Sequence, residues 1–317
     1  MPQPKTEPRP QHQLKDYKTE VHNDWCPGCG DFGILSAMQQ ALFELQRPPH
    51  EVTIVSGVGC SSKTPHFIGT YGFHTLHGRG LPVAAGLRLA NHRQTVIAVG
   101  GDGDGYGIGA AHFIAAGRRN LDFTYIVFNN AVYGLTKGQS SPTLKKGLKT
   151  KSMAERSITE GLNPIALAVS AGFTFVASSY SLNVRHMKEL IKKAIDHKGS
   201  AFLDVYQTCP SYNDIHTKEW FAGKDRSNAP RLYDINEKGY DPDVKDPEDD
   251  AAKARKKGEA IAKSFEASDD GWPMGVFYRC LEPTYEDYLA ERMPLLRERP
   301  LVECDAAGRP VDALIDE

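Results

Sequence analysis

No part of this chain stays apolar for long. Its hydrophobic runs, such as those around Val52–Val55 and Tyr125–Phe128, are strand-sized, far short of the roughly 20 residues a membrane helix requires. Residues 1–23 are polar and rich in proline, without the apolar core of a secretory signal. A dominant charge sign is missing as well. The 38 basic and 40 acidic residues leave a net charge of −2, which gives no broad field to draw in nucleic acid or an anionic membrane. The expectation is a soluble, cytoplasmic protein with neither nucleic acid nor membrane as partner. In a reducing compartment cysteines rarely build a disulfide framework. The six present here therefore point to metal or redox chemistry.

What is present is an alternation of short apolar strands with helices. Apolar positions recur at helical spacing from Asp31 to Gln46, and Val52–Val55 is a β-rich run. A helix over Leu81–Asn91 carries Pro82 in its first turn. A strand at Thr95–Val99, a helix at Ile108–Arg118 and a strand at Phe123–Phe128 follow, then a Gly/Ser/Lys-rich loop from Gly134 to Lys151. Further on, helices are expected at Asn163–Ala171 and Asn183–His197, with strands at Phe173–Val176 and Ala201–Tyr206. This pattern predicts a doubly wound, mostly parallel α/β sheet covered on both faces. The expected division is an N-terminal arm (1–23), a ligand-binding domain (24–222) and a C-terminal extension (223–317). That extension is polar, with one helix at Ala251–Phe265 and scattered aromatics, and it reads as a wrap around the domain or a partner.

In such sheets ligands bind at the carboxyl ends of the strands, where the chemically loaded residues fall. Asp102 lies in Gly101-Asp102-Gly103 just past one strand, and Asn130 ends the next. A carboxylate, an amide oxygen and a loop carbonyl supply three oxygens to Mg²⁺, and a diphosphate and water complete six. The flanking glycines allow close backbone approach. Two nucleotide readings compete. Gly105-Tyr106-Gly107-Ile108-Gly109-Ala110 fits the dinucleotide fingerprint, but the next strand ends in Asn129-Asn130 rather than the acid that binds ribose. Gly57–Thr64 approaches a phosphate loop, yet Ser62 replaces its second glycine and Pro65 follows at once.

Four cysteines complete the pattern: Cys26 and Cys29 in a Cys-x-x-Cys pair, Cys60 after the first strand, and Cys209 after the last. Four thiolates can hold an iron–sulfur cluster. A thioredoxin-type pair would need a buried strand before Cys26, where the sequence is polar. A structural zinc site also takes four cysteines, but usually as two Cys-x-x-Cys units. The lone Cys60 and Cys209 at the ligand end of the sheet favour an electron-carrying cluster. Cys280 and Cys304 lie in the polar extension and read as incidental thiols.

Taken together, Trp25–Gly33, Gly57–Lys63, Tyr71–Arg79, Gly101–Gly105, Asn129–Ser141 and Cys209-Pro210 resemble the β subunits of 2-oxoacid:ferredoxin oxidoreductases over roughly residues 20–222. The resemblance implies the diphosphate-binding module of a thiamine-diphosphate fold, with thiamine diphosphate, Mg²⁺ and one [4Fe–4S] cluster. It implies an α (or fused γ/α) subunit as partner, and coenzyme A-dependent oxidative decarboxylation of a 2-oxoacid (pyruvate, 2-oxoglutarate or a relative) to acyl-CoA, CO₂ and reduced ferredoxin. By the same resemblance Asp102, Asn130 and the carbonyl of Val132 hold Mg²⁺, while Cys26, Cys29, Cys60 and Cys209 hold the cluster. Val58, Gly59, Cys60, Ser61, His77, Gly78, Arg79, Gly101, Gly103, Gly134 and Leu135 would lie along the cofactor. Members of the family take from the partner the glutamate that activates the aminopyrimidine ring, and no candidate glutamate is evident in this chain. Lys63 and Lys137 are candidates to read a distal substrate carboxylate, or simply to neutralise phosphate or cluster charge.

Overall fold

The computed structural model describes residues 11–268 and 271–305. Its strands are β1 (Val52–Ser56), β2 (Tyr71–His74), β3 (Thr95–Gly101), β4 (Phe123–Asn129), β5 (Val132–Tyr133), β6 (Gln139–Ser140), β7 (Phe175–Tyr180), β8 (Ser200–Tyr206), β9 (Leu232–Asp234) and β10 (Trp272–Arg279). The longer helices are α1 (Asp31–Glu44), α2 (Gly80–Ala90), α3 (Ala110–Arg119), α4 (Pro164–Ala171), α5 (Val184–Asp196) and α6 (Asp250–Ser264). Eight strands form one sheet in the order β2-β1-β3-β4-β8-β7-β10-β9. The six from β2 to β7 run parallel, and β10 pairs antiparallel with β7. β5 and β6 make a separate small hairpin. Among the described residues no helix is long and apolar enough to cross a membrane.

Strand side chains alternate between two cores, as the two-residue period of a strand requires. Ile126 and Phe128 of β4 join α1 and α5 on one face, with Met38, Leu42, Leu190 and Ile191. Tyr125 and Val127 join α2, α3, α4 and α6 on the other, around Phe113 and Phe202. Local chemistry sets the helix starts. The side chains of Asn163 and Asn183 accept from the backbone N–H groups of Ala166 and His186 and so cap α4 and α5.

Three elements depart from the sequence reading. The strand expected at Phe173–Val176 runs over Phe175–Tyr180, with Phe173 instead closing the turn out of α4. The all-exposed edge strand β2 was not foreseen, because it buries no face and so shows no period. The C-terminal stretch does more than wrap the domain: it adds β10 and β9 to the main sheet. Gly275 at φ +115 and a register shift between Val276 and Tyr278 break the alternation that would have marked β10. Cys280, at its end, is a buried core thiol. The side chain of Cys304 falls outside the described residues.

Phe277 of β10 is fully buried in the second core. Phe277→Ala should therefore cost about 3–5 kcal/mol, measured by urea unfolding. A loss below about 1 kcal/mol, the range of surface substitutions, would mean that the C-terminal strands are peripheral to the fold.

Candidate functional site

The chain order of the strands reverses between β4 and β8, and a cleft opens at that end of the sheet, as expected at a topological switch point. It encloses about 150 Å³ and is lined by the loop after β1, the end of β3, the loop after β4, and Gln207 after β8. The expected cofactor residues all line this cleft except Gly78 and Arg79. Those two sit behind its wall: the Gly78 N–H donates to Asp104 at 2.7 Å, and the Arg79 guanidinium rests on the Gly78 and Ile108 carbonyls.

Asp102 is buried at the end of β3. Its Oδ2 accepts from the Ala131 N–H at 3.1 Å, from the Thr143 hydroxyl at 2.5 Å and from the Ser141 hydroxyl. No side chain among the described residues donates to Oδ1. Burial pushes this carboxyl above its ordinary range, opposed by the Ser141 and Thr143 hydrogen bonds. Asn130 accepts from the Val132 N–H at 3.0 Å through Oδ1. Between them Ala131 adopts φ 62, a left-handed conformation uncommon for a residue with a Cβ. That turn brings Asn130 and Val132 to the cleft side by side. Strain of this kind persists only where surrounding bonds enforce it, and here Asp102 holds the Ala131 amide.

The sequence starts the helix after Asp102 near Gly107, whereas the chain coils into a π-helical turn already at Gly103–Ile108. Such turns commonly mark functional sites. A Cβ on Gly103 would lie 2.2 Å from the Tyr133 ring, so this glycine serves packing by Tyr133 as well as closeness to a ligand. Asp104, Phe128, Tyr133, Thr136 and Gln207 also line the cleft and were not singled out from sequence. Asp104 was legible as the second acid of Gly-Asp-Gly-Asp-Gly; it accepts from Val58 N at 2.9 Å and meets His77 Nδ1 at 2.7 Å. Gln207 lies in no recognisable motif.

All four expected cysteines converge beside the cleft. Pro27 and Gly28, the latter at φ +80, make a tight turn closed by Cys29 N–H to the Cys26 carbonyl at 3.0 Å. The Trp25 indole donates to the Cys60 carbonyl at 2.8 Å, and the Gly30 N–H to the Thr208 carbonyl at 3.1 Å, which ties this turn to the other two cysteines. A Cβ on Gly134 would lie 3.5 Å from Cys60 Sγ and 3.9 Å from Cys209 Sγ. Burial, the charge of Asp31 and mutual repulsion push the Cys60 thiol up to about 11 and raise Cys29 further. Burial raises Cys209 too. No group of three or more His, Cys, Asp or Glu closes to the distances of a single metal ion among the described residues.

The two candidate lysines part company. Lys63 pairs with Asp24 at 2.7 Å and holds that carboxyl below its usual range. Lys137 sits exposed at φ 79 in the β5–β6 turn, next to Thr136 of the cleft.

Over 287 residues the chain is 54% identical to the 2-oxoacid:ferredoxin oxidoreductase 1, subunit beta, of Aeropyrum pernix, covering 89% of this chain and 86% of that protein. The chain belongs to the β subunits of the 2-oxoacid:ferredoxin oxidoreductases. The corresponding subunit of Saccharolobus solfataricus is 56% identical over 282 residues, 88% of this chain and 89% of the other. Residues 57–205 match the C-terminal TPP binding domain of thiamine pyrophosphate enzymes, and residues 209–292 the C-terminal part of the pyruvate ferredoxin oxidoreductase beta subunit. A 2-oxoglutarate:ferredoxin oxidoreductase from Magnetococcus marinus, solved with 2-oxoglutarate, coenzyme A and succinyl-CoA bound, superposes with a TM-score of 0.79 at 33% identity. That match covers 94% of this chain and 97% of the other.

For this β subunit the packing of Gly103 against Tyr133 is directly testable. Gly103→Ala should destabilise the chain by about 1–3 kcal/mol through overpacking, and Tyr133→Ala should relieve most of that loss. A double-mutant cycle by thermal unfolding measures the coupling; additive losses would show that the ring does not require the glycine.

Proposed function

We propose that this chain is the thiamine diphosphate- and cluster-carrying half of an enzyme that oxidatively decarboxylates 2-oxoacids with coenzyme A. The products are acyl-CoA and CO₂, with electrons passing through a [4Fe–4S] cluster to ferredoxin. One observation carries the reading: Cys60 lines the same cleft as the Asp102–Asn130 pair, with Cys26, Cys29 and Cys209 gathered beside it.

The residues present fit each group. Asp102 Oδ1, Asn130 Oδ1 and the Val132 carbonyl are the oxygens for Mg²⁺, a hard cation that prefers oxygen ligands. A cation held there would offset the burial that pushes Asp102 towards its neutral form. Ser61 Oγ is buried at the cleft wall without a hydrogen-bond partner, as a wall facing a polar ligand would be. Thiamine diphosphate, when bound, supplies the electron sink for loss of CO₂. Cys26, Cys29, Cys60 and Cys209 are the cluster ligands. Burial holds the Cys29, Cys60 and Cys209 thiols in their neutral form, and a cationic iron–sulfur core would offset the cost of ionising them.

Among the described residues no glutamate lines the cleft; Leu135 of its lining stands exposed, as do Leu76, next to His77 in the chain, and Ile108, against Gly78. Both features support an α (or fused γ/α) partner that covers the rim and brings the activating glutamate. Of the lysines, Lys137 is the better reader of a distal carboxylate, because Lys63 already holds Asp24.

The test is the complex with its α-type partner, prepared anaerobically and analysed for iron, acid-labile sulfide and bound thiamine. Cys209→Ala should lose or degrade the cluster; full iron content with an unchanged paramagnetic signal would remove this residue from the ligand set. Substrate choice gives a second measurement. Lys137→Met should lower kcat/KM for 2-oxoglutarate roughly ten- to a hundredfold relative to pyruvate, the worth of a charge-assisted hydrogen bond of about 1.5–3 kcal/mol. Lys63→Met should affect both acids alike. Equal losses for the two acids in Lys137→Met would place selectivity in the partner.

A further inference from the structure

Gln207 is buried in the loop after β8, two residues before Cys209. Its side chain lies between the two halves of the site. Its Oε1 accepts from Asn130 Nδ2 at 2.7 Å, and its Nε2 donates to Cys29 Sγ at 3.2 Å and to the Thr208 carbonyl at 3.2 Å. Gly30 leaves the room for it: a Cβ there would lie 2.7 Å from Gln207 Cγ.

The direction of these bonds follows from the main chain. The Val132 N–H can only donate, so the Asn130 atom facing it is the oxygen. The Asn130 nitrogen then faces Gln207, whose oxygen must accept from it, and the Gln207 nitrogen is left to face Cys29. Turning either amide over would set donor against donor or acceptor against acceptor. One backbone amide thus sets a relay from Val132 through Asn130 and Gln207 to a cysteine sulfur.

We propose that Gln207 is a positioning residue that couples the metal–diphosphate end of the cleft to the cluster end. The proposal rests on the assignment of Asn130 to Mg²⁺ and Cys29 to the cluster. An N–H donated to a cluster sulfur stabilises the more negative, reduced state, and hydrogen bonds to the sulfurs are among the determinants of cluster potential. A cation on Asn130 Oδ1 draws electron density from that amide and makes its N–H a stronger donor to Gln207. The polarised Gln207 amide in turn donates more strongly to sulfur, because hydrogen bonds in a chain reinforce one another. Loading Mg²⁺ and thiamine diphosphate therefore raises the cluster potential through Gln207. Coupling of this kind is reciprocal, so reducing the cluster tightens cofactor binding. The site thereby accepts electrons most readily when the cofactor that releases them is in place.

The experiment uses the complex of this chain with its α-type partner. The midpoint potential of the cluster is measured by redox titration followed by electron paramagnetic resonance, with Mg²⁺ and thiamine diphosphate removed and then restored. Gln207→Met keeps volume and removes all three hydrogen bonds. Gln207→Glu keeps an acceptor for Asn130 and removes the amide N–H, so it decides the matter if Gln207→Met does not retain iron. The parent should show an upward shift on loading, and both variants a lower potential in the loaded state with a smaller loading shift. Potentials and loading shifts equal to the parent's in an iron-replete variant would overturn the coupling while leaving the cofactor assignment intact. A parent complex devoid of iron would overturn that assignment and the coupling together.

Discussion

The buried carboxylate of Asp102 organises the whole end of the sheet. Three donors from the chain beyond β4, the Ala131 amide and the Ser141 and Thr143 hydroxyls, converge on one of its oxygens. Those bonds hold Ala131 in its left-handed turn, and that turn presents Asn130 and Val132 together. Thr143 also meets Asn129 at 2.8 Å, and Asn129 donates to the buried Asp204, which accepts from Tyr106 at 2.7 Å. Burial raises the Asp204 carboxyl to about 7. The cleft floor is therefore a polar network set into an apolar sheet. Such networks are rigid when satisfied and costly when broken.

The cysteine end depends on a different device. Three loops with no sequence continuity are pinned to one another by main-chain acceptors: Trp25 to the carbonyl of Cys60, and Gly30 to that of Thr208. Trp25 also packs edge-on against Phe32 and Phe67, so the turn that carries Cys26 and Cys29 is anchored by apolar burial rather than by the thiols. The sulfurs are brought close before any group binds them, and burial, with the charge of Asp31 and a lesser repulsion between thiols, raises the proton affinity of Cys29 and Cys60.

The C-terminal stretch shows how a site can be walled by residues remote in sequence. Its strands continue the sheet beyond β7. Phe265, Trp272 and Phe277 line a second cavity of about 160 Å³, which shares Asn130 and Gln207 with the cofactor cleft. Tyr206 and Trp272 meet edge-on at 5.0 Å between ring centres, which joins β8 to this segment. The match to the C-terminal part of the pyruvate ferredoxin oxidoreductase β chain begins at residue 209, straight after the strand that carries the site.

The sequence alone was enough for the parallel α/β class and the strand-end positions of Asp102, Asn130, Cys60 and Cys209. Each rests on local chemistry: apolar period, turn glycines, and polar or thiol side chains at regular places after strands. What only the tertiary structure decided is who meets whom. Gln207 carries no motif, and its role appears only when β8 lies beside β4 and the Cys26–Cys29 turn folds over both. Lys63 looked equivalent to Lys137 until Asp24, thirty-nine residues away in the chain, proved to be its partner. β10 stayed hidden because a glycine and a bulge erased its period, although six of its eight residues are buried. Hydrogen bonds and ion pairs between distant segments leave no periodic trace in a sequence, since they depend on how the strands are ordered in space.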